Sequence, residues 1–541
     1  MRRYRSASVA AFAVVLCALL GGLYGRSALV AQDQIPEQYK VFTAALGAIE
    51  GTYVGTAESD RLVYGAIAGM LQTLDPHSSF MDPRSYAQMR ERQEGRYYGL
   101  GISIQVVDGE ITVFSLFEGS PAYQKGLRRG DVIARIEGQD TKGWTSDQAV
   151  RQLRGARGTP VRISIKRSSY DNLIDLEVLR DEIHIPTVRA AFMLDASTGY
   201  LLLQDFGENT DQELGRALRE LRGQGMRRLV FDLRNNPGGA LDQAIRVANR
   251  FLPRGDLIVY TRGRVANSDQ DYRATQASDY LDLPVVTLVN RSSASASEIV
   301  SGALQDHDRS LIVGETTFGK ALVQSVYRVS EGAGVAVTTA RYYTPSGRLI
   351  QRPWDGAFDE YLTFTLREQD PAKAHKPDDL KFTDGGRRVY SGGGVEPDRR
   401  FDGPVEGFNP TRFGRTLFAR NLFDTFAQRF RRAGDRRIAA APSGQARELT
   451  EDFQVTDAMV AEFKQHVQNA RVRIDEAAWQ QDGQFIRAML RFEIDVDLFG
   501  VAVARKNLSR QDPQLQYALT LFPEAEALMR LGDSMPTRAQ R

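Results

Sequence analysis

A single cysteine, Cys17, occurs in 541 residues, and it sits in an apolar stretch near the N-terminus. The rest of the chain therefore holds no disulfide, no thiolate nucleophile and no cysteine metal site. Histidine is nearly as scarce. His77, His184, His307, His375 and His466 are the full set, and none pair as H-E-x-x-H or at another metal-ligand spacing. No metal is expected. A surplus of charge is missing as well. Seventy Lys+Arg against 68 Asp+Glu leave a formal net charge of +2, which argues against a phosphate-binding surface and a nucleic-acid partner. There is no internal repeat and no low-complexity tract.

What is present begins at the N-terminus. Arg2, Arg3 and Arg5 precede an apolar run over residues 7–24, the charged and apolar regions of an export signal. The run approaches the roughly 20 residues that span a bilayer, so residues 1–31 read as a signal peptide or a transmembrane signal anchor. Leu29 and Ala31 make a mediocre cleavage site, and Leu16 before Cys17 speaks against a lipoprotein. The basic side stays cytoplasmic, which puts the remainder outside the cytoplasm.

Residues 37–89 have apolar side chains at helical spacing (Phe42, Leu46, Ile49, Tyr53; then Val63, Ile67, Met70, Leu74), broken at Pro76 and Pro83. Residues 97–167 change to short β-rich runs over 101–107, 111–114, 132–137 and 161–166, with one amphipathic helix over 146–153. From residue 198 to 314, strands and helices alternate: a strand over 229–233, a helix over 240–251, a strand over 284–290, a helix over 298–306 and a strand over 310–313. That order predicts an α/β layered core. Beyond about residue 412 the chain reads as helical and charged, with no assignable chemistry.

Four segments bear on chemistry. Ser292-Ser293-Ala294-Ser295-Ala296-Ser297-Glu298 lies where a strand turns into a helix, so a nucleophile there faces the first helical N–H groups, which can hold an oxyanion. The same letters, Ser295-x-x-Glu298, spell a capping box that needs no catalysis. Gly314-Glu315-Thr316-Thr317-Phe318-Gly319-Lys320-Ala321 almost spells a P-loop, but Ala321 replaces the Mg²⁺-binding hydroxyl and residues 322–329 read as a strand. Lys320 can act as a base if burial lowers its pKa, or it can be an exposed loop lysine. Gln324, four residues on, carries a neutral amide that could orient the amine without recharging it, whereas a carboxylate in contact would raise the lysine pKa. Arg234-Asn235-Asn236-Pro237-Gly238-Gly239 is a strand-to-helix turn whose glycines permit close backbone approach. Gly99-Leu100-Gly101-Ile102 can present backbone N–H groups to a peptide C-terminal carboxylate, with the peptide adding as a strand beside 101–107.

Taken together, these segments, with Thr338-Thr339-Ala340-Arg341-Tyr342-Tyr343-Thr344-Pro345-Ser346-Gly347, resemble the carboxy-terminal processing peptidases, or tail-specific proteases, of serine peptidase family S41. The match spans residues 37–401. It implies a crotonase-like (ClpP/crotonase-type) α/β core with an inserted PDZ domain and helical N- and C-terminal regions. The expected partition is 1–31 leader, 32–94 helical region, 95–183 PDZ domain, 184–405 peptidase core and 406–541 helical region. The resemblance implies Ser295 as nucleophile, Lys320 as general base and Gln324 as the residue orienting it. It implies oxyanion donors at the amides of Ala296 and of Gly238 or Gly239, and a supporting role for Asp306. Gly99, Leu100, Gly101 and Ile102 are the implied peptide-binding loop. No cofactor is expected. The expected partners are protein or peptide substrates with apolar C-termini, a second copy of the chain, an activator or adaptor protein, and the membrane through the N-terminal segment. A periplasmic location goes with this. Ala321 and Lys125 depart from the family pattern without removing a catalytic group. A PDZ scaffold on a dead core and an acyl-CoA enzyme on the same core fold are the alternatives. Intact Ser295, Lys320 and Gln324 oppose the first; export and the PDZ module oppose the second.

Overall fold

The computed structural model describes residues 37–167, 170–329, 332–354, 361, 363–366, 375–401, 410–434 and 447–533. The expected leader lies outside them. Among the described residues no helix is long and apolar enough to cross a membrane.

The centre is a six-stranded sheet in the order Val188–Met193, Thr198–Leu203, Arg228–Asp232, Val285–Val289, Leu311–Gly314 and Arg399–Arg400. The first pair is antiparallel and every later pairing is parallel. Parallel strands need both faces covered, so their sequences are apolar throughout rather than alternating. Strand residues accordingly split between two cores. Leu201, Leu203, Leu229, Phe231, Val285 and Ile312 meet the crossover helices Thr210–Gly223, Leu241–Asn249 and Ala296–Asp306. Tyr200, Leu202, Val230, Val286, Leu288 and Val313 meet Leu515, Ala518, Phe522 and Ala525 of the C-terminal helices Pro513–Thr520 and Phe522–Asp533. The second helical layer of the core is thus supplied by the far end of the chain.

A second sheet runs Ser79–Met81, Gly334–Tyr343, Leu257–Gly263 and Gln270–Arg273, with Leu322–Arg328 also paired to Gly334–Tyr343. The sequence reading breaks the N-terminal helices at Pro83. Instead Pro83 opens the helix Pro83–Glu94 at its first position, capped by Asp82, whose Oδ1 accepts from Ser85 N–H at 2.7 Å. Proline is tolerated there because that N–H has no intrahelical partner in any case.

The small β module has strands Ile102–Val107, Glu110–Leu116, Val132–Ile136, Pro160–Lys166 and Ile174–Leu179 in that spatial order. Ile102–Val107 is therefore an edge strand, and the helix Ser146–Leu153 packs beside it. Residues 410–434 and 447–499 build a separate core around Phe423, Phe426, Phe463, Ile486 and Leu490. This helical region grips the β module through Arg129, which pairs with Asp424 at 2.9 Å and with Glu493, and through Arg128, which donates to the Phe430 carbonyl at 3.2 Å.

Candidate active site

The segments singled out in the core converge at one edge of the main sheet. The turn 233–239, the serine loop 290–295 and the lysine loop 315–320 follow Arg228–Asp232, Val285–Val289 and Leu311–Gly314, so all three leave the carboxyl ends of neighbouring parallel strands. That edge is where open α/β sheets bind ligands.

Ser295 is the N-cap of Ala296–Asp306, with φ +54° and ψ −113°. A non-glycine residue at such a φ is strained and persists only when its surroundings over-determine it. Here they do. Its N–H donates to Glu298 Oε2 at 2.8 Å, and its carbonyl accepts from Glu298 N at 2.8 Å, Ile299 N at 3.0 Å and the Tyr342 hydroxyl at 3.1 Å. Only half of the capping box forms. Glu298 caps the Ser295 N–H, while the Glu298 N–H goes to the Ser295 carbonyl, and the serine hydroxyl makes no capping bond. The flanking serines differ. Ser293 Oγ donates to the Leu233 carbonyl at 2.8 Å and Ser297 Oγ to the Asn236 carbonyl at 3.0 Å, and both residues are fully buried. Those two hydroxyls knit the serine loop to the oxyanion turn, whereas the partly exposed Ser295 keeps its hydroxyl.

Glu298 organises the site. Fully buried, it accepts four hydrogen bonds: Oε1 from Thr317 Oγ1 (2.5 Å) and Gly319 N (2.6 Å), Oε2 from Ser295 N (2.8 Å) and Lys320 N (2.9 Å). The amides of Ser295 and Lys320 therefore share one oxygen atom. Tyr342 repeats the arrangement on the carbonyl side, its hydroxyl reaching the carbonyls of both Ser295 and Lys320. Phe318 N–H closes the loops on each other by donating to the Ser293 carbonyl at 3.0 Å. The near-match to a P-loop has a physical meaning here. The loop does cradle an anion, and the anion is the Glu298 carboxylate.

Burial pushes the Lys320 amine below the ordinary lysine range, against the weaker upward pull of Glu298 and Asp75. Glu298 itself is pushed up by burial, offset by its four donors. Among the described residues Lys320 Nζ forms no ion pair, and Glu298 and Asp75 act on it only through their charge. His77 enters from the N-terminal segment. Its Nε2 lies 2.5 Å from the Tyr361 hydroxyl, and burial, then the Lys320 charge, lower its pKa to about 4 against the pull of Asp75. At neutral pH His77 is therefore uncharged and adds no repulsion to the lysine.

Two of the three predicted oxyanion donors are free. Among the described residues the N–H groups of Ala296 and Gly239 have no acceptor, while Gly238 N–H is occupied by Asn236 Oδ1 at 2.9 Å. Of the expected donors, Ala296 and Gly239 thus keep an unengaged N–H. Gly238 serves by its smallness instead. At φ +95°, a Cβ there would lie 2.7 Å from Ala296 N and 2.8 Å from Ser295 Cβ, so the turn abuts Ser295.

Gln324 Nε2 donates to Thr338 Oγ1 at 3.3 Å, and no hydrogen bond joins it to Lys320. Thr338 N in turn donates to Ser78 Oγ at 3.1 Å, and Ser78 Oγ donates to Asp75 at 2.6 Å. Asp306 is buried, bonded to the Arg348 guanidinium and to Ser346 N at 2.9 Å, a structural bracket behind the serine helix. Gly99, Leu100 and Gly101 lead into the edge strand of the β module, which Ile102 opens. Ala122 N donates to the Leu100 carbonyl at 3.0 Å and Phe117 N to the Gly101 carbonyl at 2.9 Å. Sequence reasoning gave Glu298 only a capping role and missed Tyr342, Asp75, His77 and Ser78. Glu298 alone carried a signal, its place in the Ser295-x-x-Glu298 pattern, and that signal pointed only to a cap.

The peptidase family S41 model matches residues 197–356, the PDZ domain model residues 88–166, and the activating protease CtpB N-terminal domain model residues 25–85. A carboxy-terminal-processing protease of Bartonella bacilliformis is 41% identical over 303 residues, 55% of this chain and 69% of that protein. The carboxy-terminal processing protease CtpA of Bacillus subtilis is 33% identical over 344 residues, 63% and 73%. A carboxyl-terminal-processing protease of Synechocystis is 38% identical over 296 residues, 53% and 68%. Fold, site and relatives define a serine-type peptidase carrying a PDZ domain. The chain belongs to peptidase family S41, together with the carboxy-terminal processing proteases.

Proposed function

We propose that this peptidase is an endopeptidase with a Ser295–Lys320 dyad that cuts exported proteins near apolar C-termini held by its PDZ domain. The observation that carries this reading is the single Glu298 oxygen shared by the Ser295 and Lys320 amides, beside a buried lysine with no ion pair. Neutral Lys320 takes the Ser295 proton as Oγ attacks the peptide carbonyl. The free amides of Ala296 and Gly239 receive the oxyanion. Lys320 then protonates the leaving amine, and water hydrolyses the acyl-enzyme. Gln324 orients the amine from the neighbouring strand once substrate is in place. The core is of the crotonase-like type. The work is done in the periplasm, with residues 1–31 as signal peptide or anchor. Exposed Tyr39, Val41, Phe42 and Ile49 on the first described helix suit contact with a second copy, and an adaptor or activator protein acts on the assembly.

The tail docks on the free edge of Ile102–Val107 with its carboxylate at Gly99–Ile102. A Cβ on Gly101 (φ +78°) would lie 2.2 Å from Ser120 Cβ. Gly101→Ala is therefore expected to weaken binding of a labelled apolar-ended peptide by about 10-fold or more, read by fluorescence anisotropy. Unchanged affinity places the tail elsewhere.

The primary test is cleavage of an unfolded reporter ending in an apolar tail, by the exported portion and by its Ser295→Ala variant. Cleavage by the parent protein alone, reduced when the tail is made charged, is the expected result. Equal cleavage by both, or indifference to the tail, overturns the reading.

A further inference from the structure

The C-terminal region carries no chemistry that the sequence reveals, yet it reaches the catalytic edge of the sheet. Arg234 opens the oxyanion turn. Its Nη2 donates to Asp232 Oδ2 at 2.6 Å and to Asp512 Oδ2 at 2.7 Å, and its Nη1 to Asp512 Oδ1 at 3.2 Å and Gln514 Oε1 at 3.1 Å. The Arg234 side chain is 15% exposed and that of Asp512 19%, so these are largely desolvated contacts. Gln514 Nε2 donates onward to the Val289 carbonyl at 3.3 Å and the Val313 carbonyl at 3.4 Å. Val289 ends the strand that feeds the serine loop, and Val313 stands next to last in the strand that feeds the lysine loop. One short stretch, residues 512–514, thus touches the strand ends behind all three active-site loops.

We infer that Asp512, assisted by Gln514, is a positioning residue for the peptidase reaction: it fixes Arg234 and thereby the turn that presents the Gly239 N–H. The turn cannot hold that shape by its own preferences. Asn235, Gly238 and Gly239 have φ of +57°, +95° and +154°. Backbone in such regions is kept by its surroundings. On one side the surroundings are the serine loop, where Asn290 Oδ1 accepts from Asn235 N at 2.9 Å and Ala294 N donates to the Asn236 carbonyl at 3.0 Å. Elsewhere they are the Phe206 backbone, whose N–H donates to the Gly238 carbonyl at 3.2 Å and whose carbonyl accepts from Ala240 N at 2.8 Å, and the Arg234 guanidinium, which Asp232 holds along one edge through Nε and Nη2. Asp512 engages the other edge of the planar fork through Nη1 and Nη2, so the guanidinium is clamped between two carboxylates, a geometry specific to arginine. The whole of this second anchor comes from the C-terminal region.

The inference rests on the proposed oxyanion role of the Gly239 amide, and the test separates the two. Asp512 also caps the helix Pro513–Thr520, accepting from Leu515 N at 3.1 Å. Asp512→Asn keeps a capping side chain and removes the charge; Asp512→Ser keeps the cap and removes the reach. In the exported portion of the chain, both are expected to lower kcat on an apolar-tailed peptide by roughly 10- to 100-fold, with KM within about 2-fold. Inhibition by a peptide boronate, whose tetrahedral adduct needs the oxyanion donors, weakens in proportion. The pH profile set by Lys320 does not move, and Asp512→Glu restores most of the rate. If Asp512→Asn does not fold, Gln514→Ala carries the test, because it leaves the cap and the ion pair intact and is expected to lower kcat at constant KM. An active parent protein whose kcat survives Asp512→Asn, or survives Gln514→Ala where the first variant is unfolded, overturns the inference alone. So does a kcat loss accompanied by a shifted pH profile. A parent protein no more active than its Ser295→Ala variant overturns the proposed dyad and this inference with it.

Discussion

With the proposed dyad, Lys320→Ala is expected to lower kcat/KM by about 10⁴-fold while leaving the chain folded, with the same loss in Ser295→Ala and in the double variant. The effects do not add because the two groups perform one step: without the base the hydroxyl is not activated, and without the hydroxyl the base has nothing to deprotonate. In the parent protein kcat/KM rises with pH through the Lys320 pKa, which burial sets below the free-lysine value. His77 contributes no limb near neutrality, since its pKa of about 4 leaves it neutral throughout that range. The same burial has a stability consequence of definite sign. The folded-state pKa lies below the unfolded value of about 10.4, so between the two the unfolded chain binds more protons. The penalty for the buried ammonium is then full below the folded pKa, shrinks as pH rises, and is gone above the unfolded pKa. Lys320→Met removes it. This inactive variant is expected to unfold at a higher temperature than the parent protein at pH 7, with the gap closing toward pH 10. A destabilised Lys320→Met at neutral pH, or a gap independent of pH, contradicts a depressed lysine.

The alternation of apolar strand, turn and helix over 198–314 was legible because a parallel sheet covered on both faces writes continuous apolar runs. The strands Arg228–Asp232 and Val285–Val289 and the helix Ala296–Asp306 fall within two residues of the expected bounds. Of the second sheet the strand Leu322–Arg328 was legible, read over 322–329, but its pairing was not. Ser79–Met81 is three residues long and pairs with Gly334–Tyr343 more than 250 positions away, and nothing local to Ser79, Phe80 and Met81 specifies that partner. The C-terminal helices looked like ordinary amphipathic segments because their apolar faces pack on a sheet built by distant residues, Val230, Val286 and Leu288 among them. At the site, Ser295 and Lys320 could be named from motifs, but what joins them could not. Glu298 reads as the fourth letter of a capping box, and only its complete burial and its bonds to Gly319 and Lys320, 21 and 22 positions on, show that it spans two loops. Gln324 illustrates the converse. Spacing put it on the face of Lys320, and the strand pairing delivers it to Thr338 across an irregularity in which Thr339 is the extra residue.

Glu298→Ala disables both loops at once. It strands the Ser295, Gly319 and Lys320 N–H groups and the Thr317 hydroxyl, all within a region of zero or low exposure. Each buried donor left without an acceptor costs about 1–3 kcal/mol, and even with partial relaxation the sum is on the order of 4 kcal/mol. In a domain of this size that is a fall of roughly 10 °C in the unfolding midpoint. Turnover falls further than stability does, because Ser295 loses the bond that holds its strained φ and Lys320 loses its link to the nucleophile. Glu298→Gln separates the two contributions. Its carbonyl oxygen can serve Ser295 and Lys320 together, while its NH₂ turns to Thr317, whose hydroxyl oxygen can accept; only Gly319 N–H is stranded. That variant is expected to fold with a midpoint a few degrees below the parent and to retain measurable turnover, whereas Glu298→Ala at a temperature where it is still folded retains none. Equal activity of the two folded variants would mean that the shared oxygen atom does not hold the dyad together. A Glu298→Ala protein as active as the parent would remove Glu298 from the machinery altogether.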